Sequence, residues 1–211
     1  VRRAANWFDQ TAVTRVYGST EVPVTTVGAP RREDLDLAAD TDGRPGVAEV
    51  RLSLDGEVLA RGPQMLAGYL HPQDEAEAFD AEGFYRTGDL GRLTTDGALV
   101  ITGRAKDLII RKGENIAPKE VEDVLVEHPA VQEAAVVGLP DPVTGERPWA
   151  VLVPDGSALE LGELPKFLRD RGLAVFKHPE SLAVWPSLPR NDAGKVLKDQ
   201  VRARLMAAQE V

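Results

Sequence analysis

Apolar residues in the first half of the chain come in short runs separated by turn-forming residues. Residues 12–27 read as a strand, a turn and a second strand: Val13 and Val16, then Gly18-Ser19-Thr20-Glu21, then Val22-Pro23-Val24. Residues 31–46, charged and rich in Asp, Gly and Pro, predict a surface loop. Strand patterns follow at 47–54, 58–61 and 98–102. Asp55-Gly56 and Asp96-Gly97 separate them as hairpin signals, because Asp-Gly supplies the positive φ that tight turns need. Residues 74–79 form a short acidic helix candidate, and Gly83-Phe84-Tyr85 returns the chain to extended form. Together, residues 1–104 predict the β-rich end of a larger domain.

The second half has a different rhythm. Residues 108–111 and 115–116 flank Lys112-Gly113-Glu114 as a further hairpin. Pro118 fits a first helical turn, where its missing N–H is no loss. Val121, Val124 and Leu125 then fall at helical spacing as far as His128-Pro129. Residues 134–139 and 149–153 predict two strands joined by a loop. Leu164, Phe167 and Leu168 mark a helix that Gly172 stops. A third strand at 182–185 and a closing helix lined by Leu197, Val201 and Leu205 complete an α+β unit of ordinary domain size.

Composition sharpens the division. The net charge is −9, which argues against nucleic acid as a partner. All seven lysines follow residue 105, so the composition breaks where the rhythm changes. We therefore expect domains at 1–105 and 106–211. No apolar run approaches the roughly 18 residues that span a bilayer. The chain has no cysteine, which excludes disulfides, thiolate metal sites and a cysteine nucleophile, and fits a cytoplasmic setting. His71, His128 and His178 show no metal-ligand spacing. Val1 opens the chain in mid-pattern with no initiator Met and no apolar leader, which predicts a fragment or an excised product.

Four segments concentrate polar residues and glycine. In Tyr17-Gly18-Ser19-Thr20-Glu21, a glycine permits close approach of backbone to a ligand, and hydroxyls followed by a carboxylate suit phosphate oxygens and Mg²⁺. In Tyr85-Arg86-Thr87-Gly88-Asp89, the carboxylate could accept hydrogen bonds from a ribose diol. Gly103-Arg104-Ala105-Lys106-Asp107 places charge between two apolar strands at the composition break, as a hinge would. In Pro189-Arg190-Asn191-Asp192-Ala193-Gly194-Lys195, a sharp turn presents Lys195, whose compact ammonium suits developing charge on phosphoryl and carboxylate oxygens. Taken singly, the first, second and fourth segments read better as an ordinary turn or a solvated loop, and the third reads as well that way as it does as a hinge.

In order and spacing the four resemble the adenylate-forming superfamily, which includes acyl- and aryl-CoA synthetases, nonribosomal peptide adenylation domains and firefly luciferase. The Lys-Gly-Glu-Asn-Ile-Ala-Pro-Lys-Glu-Val-Glu run at 112–122 adds to the likeness, which extends from about residue 15 to 205. The resemblance implies that residues 1–105 are the end of a large AMP-binding domain. Residues 106–211 would be a mobile C-terminal cap, with its hinge at Lys106. Tyr17 and Gly18 would border the adenine, Thr20 would contact the α-phosphate, and Glu21 would help to hold Mg²⁺. Asp89 would bind the ribose and Arg104 the ribose or a phosphate. Gly113 would lie in the hairpin that approaches the thiol acceptor, and Lys195 would be the catalytic lysine of adenylation.

The implied activity uses ATP, Mg²⁺ and CoA to turn a carboxylic acid, expected to be fatty or otherwise hydrophobic, into acyl-AMP and then acyl-CoA. A fatty-acyl-AMP ligase and an aryl or peptide-synthetase adenylation domain are the alternatives within the resemblance. A noncatalytic interaction module that keeps the fold is the alternative outside it. The family's phosphate loop and most of its acyl pocket are expected upstream of Val1, so the missing N-terminal domain would be the first partner. The 211-residue chain is expected to be inactive alone.

Overall fold

The computed structural model describes residues 1–8, 10–156 and 161–209. The chain is α+β and divides into two compact units, Val1–Ala105 and Lys106–Val211.

The first unit opens with α1 (Arg2–Ala5), β1 (Thr26–Val27), α2 (Leu35–Asp40) and β2 (Arg44–Pro45). β1 and β2 pair antiparallel as a two-stranded ribbon. Four further strands, β3 (Glu49–Leu52), β4 (Glu57–Arg61), β5 (Tyr85–Leu93) and β6 (Leu99–Arg104), form an antiparallel meander. Between β4 and β5 runs α3 (Pro72–Ala78). Both Asp-Gly signals mark hairpins, with Gly56 and Gly97 each at φ +81°. Val22, Ala48 and Ala60 are buried together, with Met65 and Tyr85 packed against them.

Two expectations for this unit fail. Residues 12–25 form no strand; the first strand is β1. The amide of Thr26 does donate to Tyr17 O at 3.0 Å, but the chain between them closes on itself instead of extending. Ser19 N donates to Val22 O, Ser19 Oγ accepts from Val22 N, and Val24 takes φ +50°, a left-handed conformation rare for a β-branched residue. Residues 31–46 are not a plain loop either. A 3₁₀ turn at Arg32–Asp34 runs into α2, which buries Ala38, and Arg2 of α1 pairs with Asp36 and with Asp40 of α2.

The second unit contains β7 (Ile109–Arg111), β8 (Glu114–Ile116), α4 (Pro118–Leu125), β9 (Val131–Asp141), β10 (Gly145–Pro154), α5 (Leu164–Asp170), β11 (Ser181–Val184) and α6 (Lys198–Gln209). β10 pairs antiparallel with β9 and parallel with β11, and at Gly145 it meets β7, which pairs with β8. The alternation of side chains along a strand sends successive residues to opposite faces. Ala150 and Leu152 of β10 join Val121 and Leu125 of α4 and Leu164 and Leu168 of α5 in one core. Val151 and Val153 join Val201 and Leu205 of α6 in the other. A sheet covered on both faces needs continuous apolar strands, which is why 134–139 lacks alternation. β9 and β10 are longer than the pattern suggested, and residues 142–144 alone connect them. After α5 the amide of Leu173 returns to Leu168 O with Gly172 at φ +80°, the glycine stop that the spacing required.

Candidate functional site

In the first unit Asp89 is set by an irregularity in β5. From Leu90 to Arg86, β5 takes four steps while β4 takes two, between Glu57 and Leu59. Gly88, at φ +69°, absorbs the excess, its amide donating to Glu57 Oε1 at 3.1 Å. Thr87 donates its hydroxyl to Val58 O at 2.7 Å and accepts the Asp89 amide at 3.1 Å. These bonds fix the backbone on either side of a carboxylate whose side chain is 13% exposed. Arg104, the register partner of Asp89 on β6, donates from Nε to Asp89 Oδ1 at 2.7 Å. Tyr17 donates its hydroxyl to Asp89 Oδ2 at 2.8 Å. Burial pushes the Tyr17 phenol above its ordinary value, and the Asp89 charge adds to the shift.

Three residues chosen from separate segments of the sequence therefore meet in one hydrogen-bonded group. Each carboxylate oxygen keeps a further lone pair, so the group can still accept donors from a ligand.

Gly18, Thr20 and Glu21 lie in the loop that follows Tyr17. A Cβ on Gly18 would stand 2.6 Å from Val24 N and 3.0 Å from Val22 O, so the loop's own closure requires this glycine. The Thr20 side chain is exposed. Glu21 is half-buried, and its Oε1 accepts the Tyr69 hydroxyl at 3.3 Å. Burial acts to raise the Glu21 carboxyl, but hydrogen bonds from its own backbone and from Ser19, Tyr69 and Tyr85 outweigh it and hold the group below its usual value. An ionised oxygen donor of this kind suits Mg²⁺. Among the described residues no cluster of three or more His, Asp or Glu could cage a metal alone, and Mg²⁺ ordinarily takes one or two carboxylates and completes its shell with phosphates and water.

Tyr69 and Tyr85 were not chosen as site residues from sequence. Tyr69 is placed by α3, whose Glu75 accepts the Tyr69 amide at 2.7 Å, and by Phe79, whose ring contacts those of Tyr69 and Tyr85. Nothing local in the sequence announces that approach.

In the second unit Lys195 ends a closed turn. Arg190 and Val196 form a β-bridge, Asn191 N donates to Lys195 O at 2.9 Å, and Asn191 Oδ1 accepts the Lys195 amide at 2.8 Å. Gly194 reverses the chain at φ +80°. The Lys195 side chain is exposed, and among the described residues no carboxylate pairs with its ammonium. A cleft of about 250 Å³ is lined by Lys106, Asp107, Asn191, Lys195, Leu197 and Lys198. Lys198, which the sequence reading passed over, pairs with Glu122 at 2.7 Å and ties the start of α6 to α4. Gly113 is not among the residues of that cleft. It shares a two-residue turn with Lys112, at φ +83° and +52°, which closes the β7–β8 hairpin.

Comparison with known proteins gives these groups a setting. The AMP-binding enzyme C-terminal domain family matches residues 120–195. A 2,3-dihydroxybenzoate-AMP ligase from Bacillus subtilis is 41% identical over 90% of this chain and 35% of its own length. A medium-chain fatty-acid–CoA ligase from Escherichia coli is 39% identical over 90% of this chain and 36% of its own. The structure of an o-succinylbenzoate CoA synthetase from Bacillus subtilis, in complex with its acyl-adenylate intermediate, matches with a TM-score of 0.82. That match is 33% identical and covers 95% of this chain and 43% of the synthetase. The chain thus spans a little over a third of the length of the curated relatives it matches. The relatives that this chain resembles are thus adenylate-forming enzymes, AMP ligases and CoA ligases alike, and its residues 120–195 match the AMP-binding enzyme C-terminal domain family.

Proposed function

We propose that the chain is the C-terminal portion of an enzyme that activates a carboxylic acid with ATP and passes the acyl group to a thiol. The observation that carries this reading is the Tyr17–Asp89–Arg104 group, a carboxylate held nearly buried by two donors with lone pairs to spare for a ribose diol. Units 1–105 and 106–211 are then the end of the AMP-binding domain and its mobile C-terminal domain, with Lys106 as the pivot.

In the first half-reaction the carboxylate oxygen of the acid attacks the α-phosphorus, and the bond to pyrophosphate breaks. Positioning and charge stabilisation supply the catalysis, since the protein forms no covalent bond. Tyr17 and Gly18 border the adenine, Asp89 and Arg104 hold the ribose, and Thr20 contacts the α-phosphate. Glu21 offers an ionised carboxylate to Mg²⁺, which when bound neutralises phosphate charge. The Lys195 ammonium meets the negative charge shared by the attacking carboxylate and the α-phosphate. In the second half-reaction the thiol attacks the carbonyl carbon of the mixed anhydride and AMP leaves, with Gly113 in the hairpin that faces the acceptor. CoA is the leading thiol, and a cytoplasmic location accompanies this reading.

The acid is less constrained. Relatives of nearly equal likeness are named for an aryl acid and for a fatty acid. A chain that resembles both to that degree carries what the two chemistries share. The expected fatty or hydrophobic acid therefore stands beside an aromatic acid as the first pair of classes to examine. Pyrophosphate release by the full-length enzyme, screened against hydroxybenzoates and medium-chain fatty acids, tests the proposal. Activity with a member of either class supports it, and silence with every acid and no thermal shift with ATP would leave only a noncatalytic module.

A further inference from the structure

We propose that Arg190 is a positioning residue for Lys195, a guanidinium strut that fixes the lysine-bearing loop to the sheet of the second unit. This rests on the role given to Lys195 above. The loop of residues 191–195 is exposed, and among the described residues each hydrogen bond it makes has its partner within 190–195. The bridge between Arg190 and Val196 closes the base of the loop but leaves its tip untied.

Arg190 supplies the tie. One arm of its guanidinium donates to the carbonyl of Gly194, the residue immediately before Lys195. The other donates to Glu133 Oε2 of β9 at 2.6 Å. A single planar group thus spans from the peptide beside the lysine to β9, the strand that pairs along β10.

The chemistry of the strut explains why arginine serves. Its rigid fork holds two acceptors at once in a fixed geometry, whereas an ammonium on a flexible stem is a point charge. The Arg190 and Glu133 side chains are 42% and 30% exposed, so the ion pair adds little to the stability of the fold. Its effect falls on where the loop stands. Among the described residues no carboxylate pairs with the Lys195 ammonium, which is delivered to the reacting oxygens only as accurately as its backbone is held. A displacement of about 1 Å at a catalytic group can cost on the order of 100-fold in rate.

A double-mutant cycle in the full-length enzyme tests the strut, with Arg190→Gln, Lys195→Ala and both together, each checked for folding by thermal melting. Arg190→Gln should lower kcat for acid-dependent pyrophosphate release on the order of 10-fold with KM for ATP little changed, because positioning is lost and binding is not. It should cost nothing further once Lys195 is alanine. Glu133→Gln should reproduce much of the loss, and Arg190→Lys should restore part of it. Full additivity of the two losses, or no loss in Arg190→Gln, would overturn the strut.

A readout independent of activity accompanies the cycle. Native tryptic cleavage after Lys195, followed by mass spectrometry, should be several-fold faster in Arg190→Gln and in Glu133→Gln than in the unaltered chain. Equal cleavage rates would overturn the strut directly. An unchanged kcat in Lys195→Ala with faster cleavage in Arg190→Gln would instead sink the role of Lys195 and leave the strut as a feature of the loop.

Discussion

The hydroxyl of Tyr17 lies 2.8 Å from Asp89 Oδ2, joining two residues 72 positions apart in the chain. The bond ties the loop that begins at Tyr17 to the irregular stretch of β5, and Arg104 holds the other oxygen of the same carboxylate. Removing the hydroxyl should weaken both the fold and the site. Tyr17→Phe is expected to cost about 1 kcal/mol in urea denaturation, the ordinary net value of one part-buried hydrogen bond. Asp89→Ala should cost more, because it removes the acceptor of the Tyr17 hydroxyl and of Arg104 Nε together. Equal stability of the two variants would contradict the arrangement.

The tyrosines should report on burial. The chain has three, and the phenols of Tyr17 and Tyr85 are both pushed up, Tyr17 by burial and Asp89, Tyr85 by burial, Tyr69 and Glu21. A folded-state value above the unfolded value of about 10 contributes stability that is complete below that pH and lost as the pH rises further. Phenolate absorbance should therefore account for less than the full tyrosine content until the fold gives way in alkali. Simultaneous titration of all three near pH 10 would show that Tyr17 and Tyr85 are not buried as described.

Asp141 should govern acid stability of the second unit. Its carboxyl is held down to about 2 by the hydroxyl and amide of Thr144, the amide of Val143 and the guanidinium of Arg147. A depressed value contributes stability above the unfolded value of about 4, lost as the pH falls toward the folded one. Asp141→Asn should melt lower than the parent at pH 6, and the difference should shrink steadily between pH 4 and pH 2. A gap that stays constant across that window would remove Asp141 from the acid transition.

Gly18 makes a steric prediction. A Cβ at 2.6 Å from Val24 N meets backbone that cannot swing aside, so Gly18→Ala should force the 18–24 loop open. A destabilisation of about 1–3 kcal/mol is expected, as for other overpacked positions. A variant as stable as the parent would mean that the loop closes less tightly than the structure has it.

Much of the fold was legible in the sequence because the signals were local. Asp55-Gly56 and Asp96-Gly97 need positive φ wherever they stand, and Val121, Leu125, Leu164, Leu168, Val201 and Leu205 repeat at helical spacing into two cores. The misread segments lack that locality. Val13 and Val16 look like strand residues, yet the bonds that decide their neighbourhood are Thr26 N to Tyr17 O and the turn at Ser19 and Val22. α2 hides in a polar run because its anchors, Asp36 and Asp40, pair with Arg2, 34 and 38 positions earlier in the chain.

The candidate site divides in the same way. Tyr17, Asp89, Arg104 and Lys195 stand in recognisable segments, but their partners do not. Tyr69 reaches Glu21 from 48 positions away and Arg190 reaches Glu133 from 57, distances over which only the finished fold brings side chains together.

The central claim is that this chain supplies the catalytic lysine of a carboxylate-activating enzyme. Its most direct test is Lys195→Ala in the full-length protein, with the two half-reactions measured separately. Acid-dependent pyrophosphate release should fall on the order of 100- to 1,000-fold, while thioester formation from supplied acyl-AMP should be spared. An equal loss in both half-reactions, or undiminished pyrophosphate release, would contradict it.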